Sequence, residues 1–213
     1  NLAIGFNALG DLNNASCIQN MAIGSYAGDG MGTHASHNNL FIGYSTGGGT
    51  WGSVSNYNTA VGNYAMDGAC SGATENTAFG YATLGNVQAG DYNVAVGVQA
   101  LEALSDGGSN IAIGAQAMDA ASGSETDNIA IGRDAMGNAN HDSCLKNVII
   151  GSYAGDGIGA NAVDNTVGVG YGALTGSLTS TASGSVAIGS MALAALTSGA
   201  SNVAIGYNAL STL

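Results

Sequence analysis

The sequence predicts an all-β protein, a parallel β-solenoid of about twelve coils of 17–19 residues each. Three observations support this prediction. A motif of the form Asn-x-Ala-Ile-Gly-x-x-Ala-Leu recurs along the whole chain, large and small apolar residues alternate just before its glycine, and the segments between motifs are rich in Gly, Ser, Asn, Asp and Thr. A repeat this short cannot bury its own apolar face, whereas stacked repeats share one continuous core.

The motif glycine sets the spacing of the repeats. It occurs twelve times, at intervals of 17 to 19 residues. These glycines are Gly5, Gly24, Gly43, Gly62, Gly80, Gly97, Gly114, Gly132, Gly151, Gly170, Gly189 and Gly206. No change of composition interrupts the series. We therefore expect a single solenoid domain over 1–213, which we interpret as a fragment of a longer fibre.

The three residues before each glycine have the pattern of a short strand. In the first copy they are Leu2, Ala3 and Ile4, and most later copies repeat the order large, small, large. Alternate residues of a strand share one face, so the large and the small side chains point to opposite faces. We expect the large residues to face the core and the alanines to form an outer face. Because solvent faces are usually polar, we expect a neighbouring chain to cover the alanines, most simply in a homotrimer around a long axis.

Asparagine stands four residues before the glycine in ten of the twelve copies. Amides in register can form a ladder, each bonded to the side chains above and below it. The alternative is that Asn and Gly only mark ordinary turns. We favour the ladder, and its predicted members are Asn20, Asn39, Asn58, Asn76, Asn93, Asn110, Asn128, Asn147 and Asn202.

Composition and charge exclude several classes of protein. The formal net charge is −12, and Lys146 and Arg133 are the only basic residues besides three histidines, so no basic surface for nucleic acid is expected. The 36 glycines come without proline, which excludes collagen. No apolar run approaches the roughly 20 residues that span a bilayer, so we expect no membrane insertion in this segment.

Repeats such as Asn-Ile-Ala-Ile-Gly (110–114), Ser-Val-Ala-Ile-Gly (185–189) and Asn-Val-Ala-Ile-Gly (202–206) resemble the head repeats of YadA-like trimeric autotransporter adhesins. The longer form, NVAIGYNAL (202–210), also resembles repeats of bacteriophage tail fibres. The resemblance implies a trimer of left-handed parallel β-rolls with an extracellular, adhesive role. The repeats here are longer and less equal than those of adhesin heads, and the sequence has no coiled-coil stalk, membrane anchor or autocatalytic fibre chaperone. Adhesin and phage fibre therefore both stay open.

A longer repeat is superimposed on the short one. Residues 20–30 (NMAIGSYAGDG) recur as 147–157 (NVIIGSYAGDG), and Cys17 and Cys144 share the same shift of 127 residues, or seven coils. This indicates duplication of a seven-coil block. Growth by block copying fits a structural role better than an enzyme.

The three cysteines cannot pair within this fold. Cys17 and Cys144 would lie about 34 Å apart at the stacking distance of parallel strands, and Cys70 is about three coils from Cys17. A disulfide needs Cα atoms within about 7 Å. The cysteines are either buried free thiols or contacts between chains near a symmetry axis.

No residue pattern predicts catalysis, a cofactor or a metal site. His34 and His37 share a loop, but they lack Cys or carboxylate ligands at suitable spacing. The Asp-Gly pairs at Asp29, Asp67, Asp106 and Asp156 do not recur in one column, so they are interpreted as turns and not as calcium ligands. We expect no enzymatic activity; a hydrolase passenger on a repeat scaffold is a remote alternative.

Aromatic residues cluster just after the motif glycine. They are Phe6, Tyr26, Tyr44, Tyr64, Tyr81, Tyr153, Tyr171 and Tyr207. They either fill the corners of the coil or stack on sugar rings, and we favour the corners. Trp51 in its Gly-rich loop is the best single candidate for a surface contact, and Tyr44, His34 and His37 complete the predicted binding residues.

The sequence therefore predicts a structural and adhesive extracellular fibre segment, on a cell surface or a virion, that attaches to a surface receptor or glycan. The alternative is a monomeric ice-binding solenoid. That function needs a regular array of Thr, whereas the strand columns hold only Thr59, Thr77 and Thr166.

Overall fold

Each repeat contributes one strand of three residues in the computed structural model, which describes residues 1–212. The strands are β1 Leu2–Ile4, β2 Met21–Ile23, β3 Leu40–Ile42, β4 Thr59–Val61, β5 Thr77–Phe79, β6 Val94–Val96, β7 Ile111–Ile113, β8 Ile129–Ile131, β9 Val148–Ile150, β10 Val167–Val169, β11 Val186–Ile188 and β12 Val203–Ile205. Two short 3₁₀ helices, Asp29–Met31 and Ser180–Ala182, lie in the loops, and residues 1–212 contain no α-helix. No helical segment in that range is long and apolar enough to cross a membrane.

The twelve strands form one parallel sheet in which each strand pairs only with its neighbours in sequence. The register keeps equivalent residues side by side, so that Ala3 lies beside Ala22 and Ile4 beside Ile23. The same alignment continues to the last pair, where Ala187 lies beside Ala204. The prediction of an all-β parallel solenoid with one coil per repeat is confirmed.

The motif glycines form a stacked column at the corner after each strand. Gly24 has φ +135°, and a Cβ there would lie 2.2 Å from the carbonyl oxygen of Gly43 in the next coil. Gly62 and Gly80 make the same close approach, because a Cβ on Gly62 would lie 2.1 Å from the Gly80 oxygen. Only glycine fits both this backbone conformation and this distance.

The strand faces are reversed relative to the sequence prediction. The small middle residues point into the coil, and Ala60, Ala95 and Ala130 are fully buried. The large residues point outward, with Ile4 53% and Phe79 56% exposed. The expectation that the alanines form the outer face was wrong. The interior is narrow and already holds the long side chains that follow the corner, among them Leu84 and Leu101, so only a methyl group fits opposite them.

The interior adjusts where the middle residue is large. Phe41 and Ile149 stand in the alanine column, and both are fully buried. Glycine then replaces the long corner residue nearby: a Cβ on Gly47 would lie 2.7 Å from the Phe41 ring, and one on Gly155 would lie 3.0 Å from Ile149. The volume of each cross-section is thereby conserved, as close packing of interiors requires.

Candidate functional site

A ladder of asparagine side chains runs along the start of the strands. The Oδ1 atom of Asn20 accepts hydrogen bonds from the backbone N–H of Asn39 at 3.0 Å and from its Nδ2 at 3.1 Å. The Nδ2 of Asn39 also donates to the Ser55 carbonyl at 2.9 Å. The same three contacts recur in every rung up to Asn147. Each buried amide is thus satisfied by the neighbouring coil.

The ladder changes chemistry near its end. Asn147 Oδ1 accepts from the backbone N–H of Thr166 at 3.0 Å, and Thr166 and Ser185 then occupy the column. Asn202 is a predicted ladder member, but its backbone N–H donates to the Oγ of Ser185 at 3.3 Å and not to an amide oxygen. The Asn202 side chain donates to the Gly199 carbonyl and joins no amide pair. Eight of the nine predicted asparagines therefore belong to the amide ladder.

Trp51 does not lie on the surface. It is only 2% exposed and packs edge-to-face on Phe41, with ring centroids 5.8 Å apart. Glycine makes room for the indole, because a Cβ on Gly30 would lie 3.0 Å from Cδ1 of Trp51. The expectation that Trp51 is the best surface contact was wrong, because the ring completes the core.

His34 and His37 make structural contacts in their loop. The carbonyl of His34 accepts from the Cys17 thiol at 2.9 Å, and Nδ1 of His37 accepts from the backbone N–H of Ile18 at 3.3 Å. Within residues 1–212, no group of three or more His, Cys, Asp or Glu side chains is placed to hold a metal ion.

The three cysteines are buried and free. The Cys144 thiol donates to the Asn161 carbonyl at 3.0 Å, which is the counterpart of the Cys17 contact one block earlier. Burial raises the pKa of Cys70 to about 12, so that thiol stays protonated at neutral pH.

Tyr44 belongs to a row of aromatic rings on the first five coils, in which Tyr26 is half-buried and the other rings are exposed. The row alternates between the first and second residue after the motif glycine, so that successive rings meet edge to face. Centroids are 5.9 Å apart between Tyr26 and Tyr44 and 5.3 Å apart between Tyr44 and Tyr64. Phe6 and Tyr81 extend the row at its two ends. A second pair, Tyr153 and Tyr171, stands one block later at 6.0 Å.

A groove of about 290 Å³ opens beside the end of this row. Its lining comes from three adjacent coils and includes two tyrosines, two carboxylates and one side-chain amide. The lining residues are Tyr64, Asp67, Tyr81, Ala82, Gly85, Asn86 and Glu102. All of them follow the corner glycine of their coil, so none lies on a strand.

The two carboxylates of the groove are held in place by neighbours. Asp67 Oδ1 accepts from the Ser45 hydroxyl at 2.9 Å, and Glu102 Oε2 accepts from Nε2 of Gln99 at 2.7 Å. Partial burial raises the pKa of Asp67 above its ordinary value of 3.8, against the opposing effect of the Ser45 hydrogen bond. Both carboxylates line the groove.

The sequence contained a signal for part of this groove. Tyr-x-x-Asp occurs at 26–29, 64–67 and 153–156, each time followed by a tyrosine in the next coil. Partial burial raises the pKa of Asp29 and Asp156 as well. Asn86 and Glu102 carry no such signal, because their place in the groove depends on the alignment of coils of unequal length.

The fold, the register and the ladder define a β-solenoid repeat protein. No family of known proteins, no curated protein and no solved structure matches the chain.

Proposed function

We propose that this chain is a non-catalytic structural and adhesive segment of an extracellular fibre, assembled as a homotrimer through its outward strand face. The observation that carries the proposal is a continuous apolar stripe on that face. Each of the twelve strands places two residues outward, and 22 of these 24 are apolar; Thr59 and Thr77 are the exceptions. None is charged.

The stripe runs along the whole length of the sheet. Eleven strand steps of about 4.8 Å give a length of about 53 Å. Nine of its apolar members are at least 36% exposed, with the highest value at the last rung, where Ile205 is 68% exposed, and the others in the central coils are mostly half-buried. With a width of about 10 Å, the stripe has a footprint of about 500 Å², comparable to the largest apolar patches of monomeric proteins, which are often functional.

Copies of this chain are the partner that fits the stripe best. A second solenoid has the same rung spacing, so its side chains can interdigitate along the whole length. The stripe is uncharged although the chain carries a net charge of −12, so chains can meet there without bringing carboxylates together. Three chains around one axis would bury one stripe each, and this is the arrangement that the resemblance to adhesin heads implies.

The adhesive and extracellular parts of the proposal rest on that resemblance and on the repetition of the coils along the chain. A rigid rod presents its loops at twelve levels, and simultaneous weak contacts strengthen attachment by multivalency. Immunogold labelling of intact cells or particles that carry the chain tests this part. We expect gold on the outer surface, and labelling only after permeabilisation would contradict it.

Sedimentation equilibrium tests the assembly. We expect a mass of about three times 20.7 kDa for the wild type. Ile113→Asp places a charge at the centre of the stripe and should yield monomers or unfolded chain, whereas Gln88→Asp, an exposed residue away from the strands, should leave the trimer intact. A folded wild-type monomer at micromolar concentration would overturn the proposal. Thermal hysteresis in that monomer would favour the ice-binding alternative.

A further inference from the structure

The groove at coils four to six has the composition of a sugar-binding surface. Tyr64 and Tyr81 are exposed aromatic rings whose planes meet at 79° with centroids 5.8 Å apart. They form an angled apolar shelf. The C–H faces of a pyranose ring are apolar, and an aromatic ring offers them a flat surface with a negatively polarised face.

Polar groups that can hydrogen-bond with sugar hydroxyls line the same groove as the two rings. Asp67 and Glu102 supply acceptors, and the exposed Asn86 amide is both donor and acceptor. Ser45 and Gln99 fix the two carboxylates in advance, which lowers the entropy lost on binding. An apolar surface with a few oriented polar groups is the usual form of a small-ligand site.

Charge and size narrow the class of ligand. The lining has two carboxylates and no basic residue, so sialic acids, uronic acids and sulfated sugars would be repelled. The volume of about 290 Å³ lies at the lower limit of small-molecule sites. It suits one or two sugar rings, with the rest of a chain lying along the outside of the rod.

We propose that Tyr64, Asp67, Tyr81, Asn86 and Glu102 form a binding site for a neutral pyranose unit of a glycan chain. The proposal deepens the adhesive function proposed above, because it names the chemistry of the attachment target. None of its lining residues belongs to a strand, so the site uses residues other than those of the strand stripe.

The second block of the chain supplies a matched control. Tyr153, Asp156 and Tyr171 repeat the first three residues of the site, with the two rings 6.0 Å apart. The next coil there offers Thr175 and Gly176 in place of Gly85 and Asn86, and the coil after it has Ala194 in place of Glu102. Substitution of Tyr153 therefore removes the same kind of ring and leaves the groove at coils four to six unchanged.

Saturation-transfer NMR and isothermal titration on the intact assembly test the site with maltohexaose, chitohexaose, a β-1,4-galactan hexamer and, as the anionic probe, hexagalacturonate. We expect at least one neutral probe to bind. Tyr81→Ala and Glu102→Gln should each weaken that binding tenfold or more, while Tyr153→Ala leaves it within twofold.

Three results would overturn the site. They are failure of all three neutral probes to bind, equal binding by wild type and Tyr81→Ala, and tighter binding of hexagalacturonate than of every neutral probe. Circular dichroism shows whether each variant keeps the fold. Sedimentation of the same samples reports the trimer separately, so a failed glycan site and a failed assembly give different outcomes.

Discussion

The ring of Phe41 fills the space beside Gly47, where an added Cβ would lie 2.7 Å from the ring carbons. In most other coils alanine takes the place of Phe41, and Leu or Met takes the place of Gly47. The two positions share one cross-section of the interior. A larger side chain at one position therefore requires a smaller one at the other, which couples two residues of the same coil.

This coupling predicts the effect of exchanging the pair. Phe41→Ala should lower the free energy of unfolding by about 3–5 kcal/mol, because it leaves a cavity. Gly47→Leu should also destabilise, since the new side chain would overlap the ring. The double variant restores the Ala–Leu pair of the other coils, and Leu84 and Leu101 already tolerate this left-handed conformation with φ of 50° and 52°.

We expect the double variant to be more stable than either single variant, although some cavity stays beside Gly28, whose Cβ would lie 3.1 Å from Phe41. Urea unfolding at one fixed protein concentration measures the coupling as a double-mutant cycle. Additive destabilisation by the two substitutions would contradict it.

The asparagine ladder predicts that Asn→Ala substitutions in its column lower the free energy of unfolding by different amounts. Asn93 bonds to Asn76 on one side and accepts two hydrogen bonds from Asn110 on the other. Asn93→Ala leaves the backbone N–H of Asn110 buried without an acceptor, so the free energy of unfolding should fall by about 2–3 kcal/mol.

Asn202→Ala is the matched control, because Asn202 lies outside the amide pairs and is only partly buried. Its cost should be about 1 kcal/mol or less. Chemical denaturation of both variants makes the comparison, and equal losses would show that the ladder adds nothing to an ordinary turn asparagine.

The partly buried carboxylates predict higher stability in mild acid. Burial raises the pKa of Asp29, Asp67, Asp119 and Asp156 in the folded state. A raised folded-state pKa means that the folded protein binds protons more tightly than the unfolded chain. The stabilisation is complete below the unfolded value of about 3.9 and is lost as the pH rises through the folded value.

The melting temperature should therefore rise as the pH falls from 7 toward 4.5. Asp67→Asn should raise it at pH 7 and should have less effect near pH 4, since the wild-type group is then protonated. Asp106→Asn removes the same charge from an exposed position and corrects for the change in net charge. A melting temperature that falls steadily with acidification would refute this reasoning.

Much of the fold follows from local spacing in the sequence. The motif glycines predicted the coils, and the asparagine column predicted the ladder, because both depend only on residues that repeat in register. The direction of the strand faces did not follow. Alternation places Ala60 and Val61 on opposite faces, but only the width of the coil, set by corner residues such as Leu84, decides which of them is inside.

Residues outside the repeating columns were harder to place. Trp51 occurs once, and its burial depends on the room that the glycine loop leaves beside Phe41. Glu102 and Tyr64 are 38 positions apart (102 − 64) and meet only because three coils of different length align at their corners. Gly47, in a column mostly occupied by Leu or Met, and Phe41, in the alanine column, were the available signs of an unusual interior.

Every strand pairs only with its neighbours in sequence. The number of repeats therefore sets the length of the rod. A whole rung can be gained or lost by recombination between similar repeats, since the new neighbours meet in the same register as the old ones. The 127-residue block corresponds to seven rungs, so gain or loss of that block would change the length of the rod by about 34 Å. The cross-section would stay constant, because every strand would still pair with neighbours in the same register.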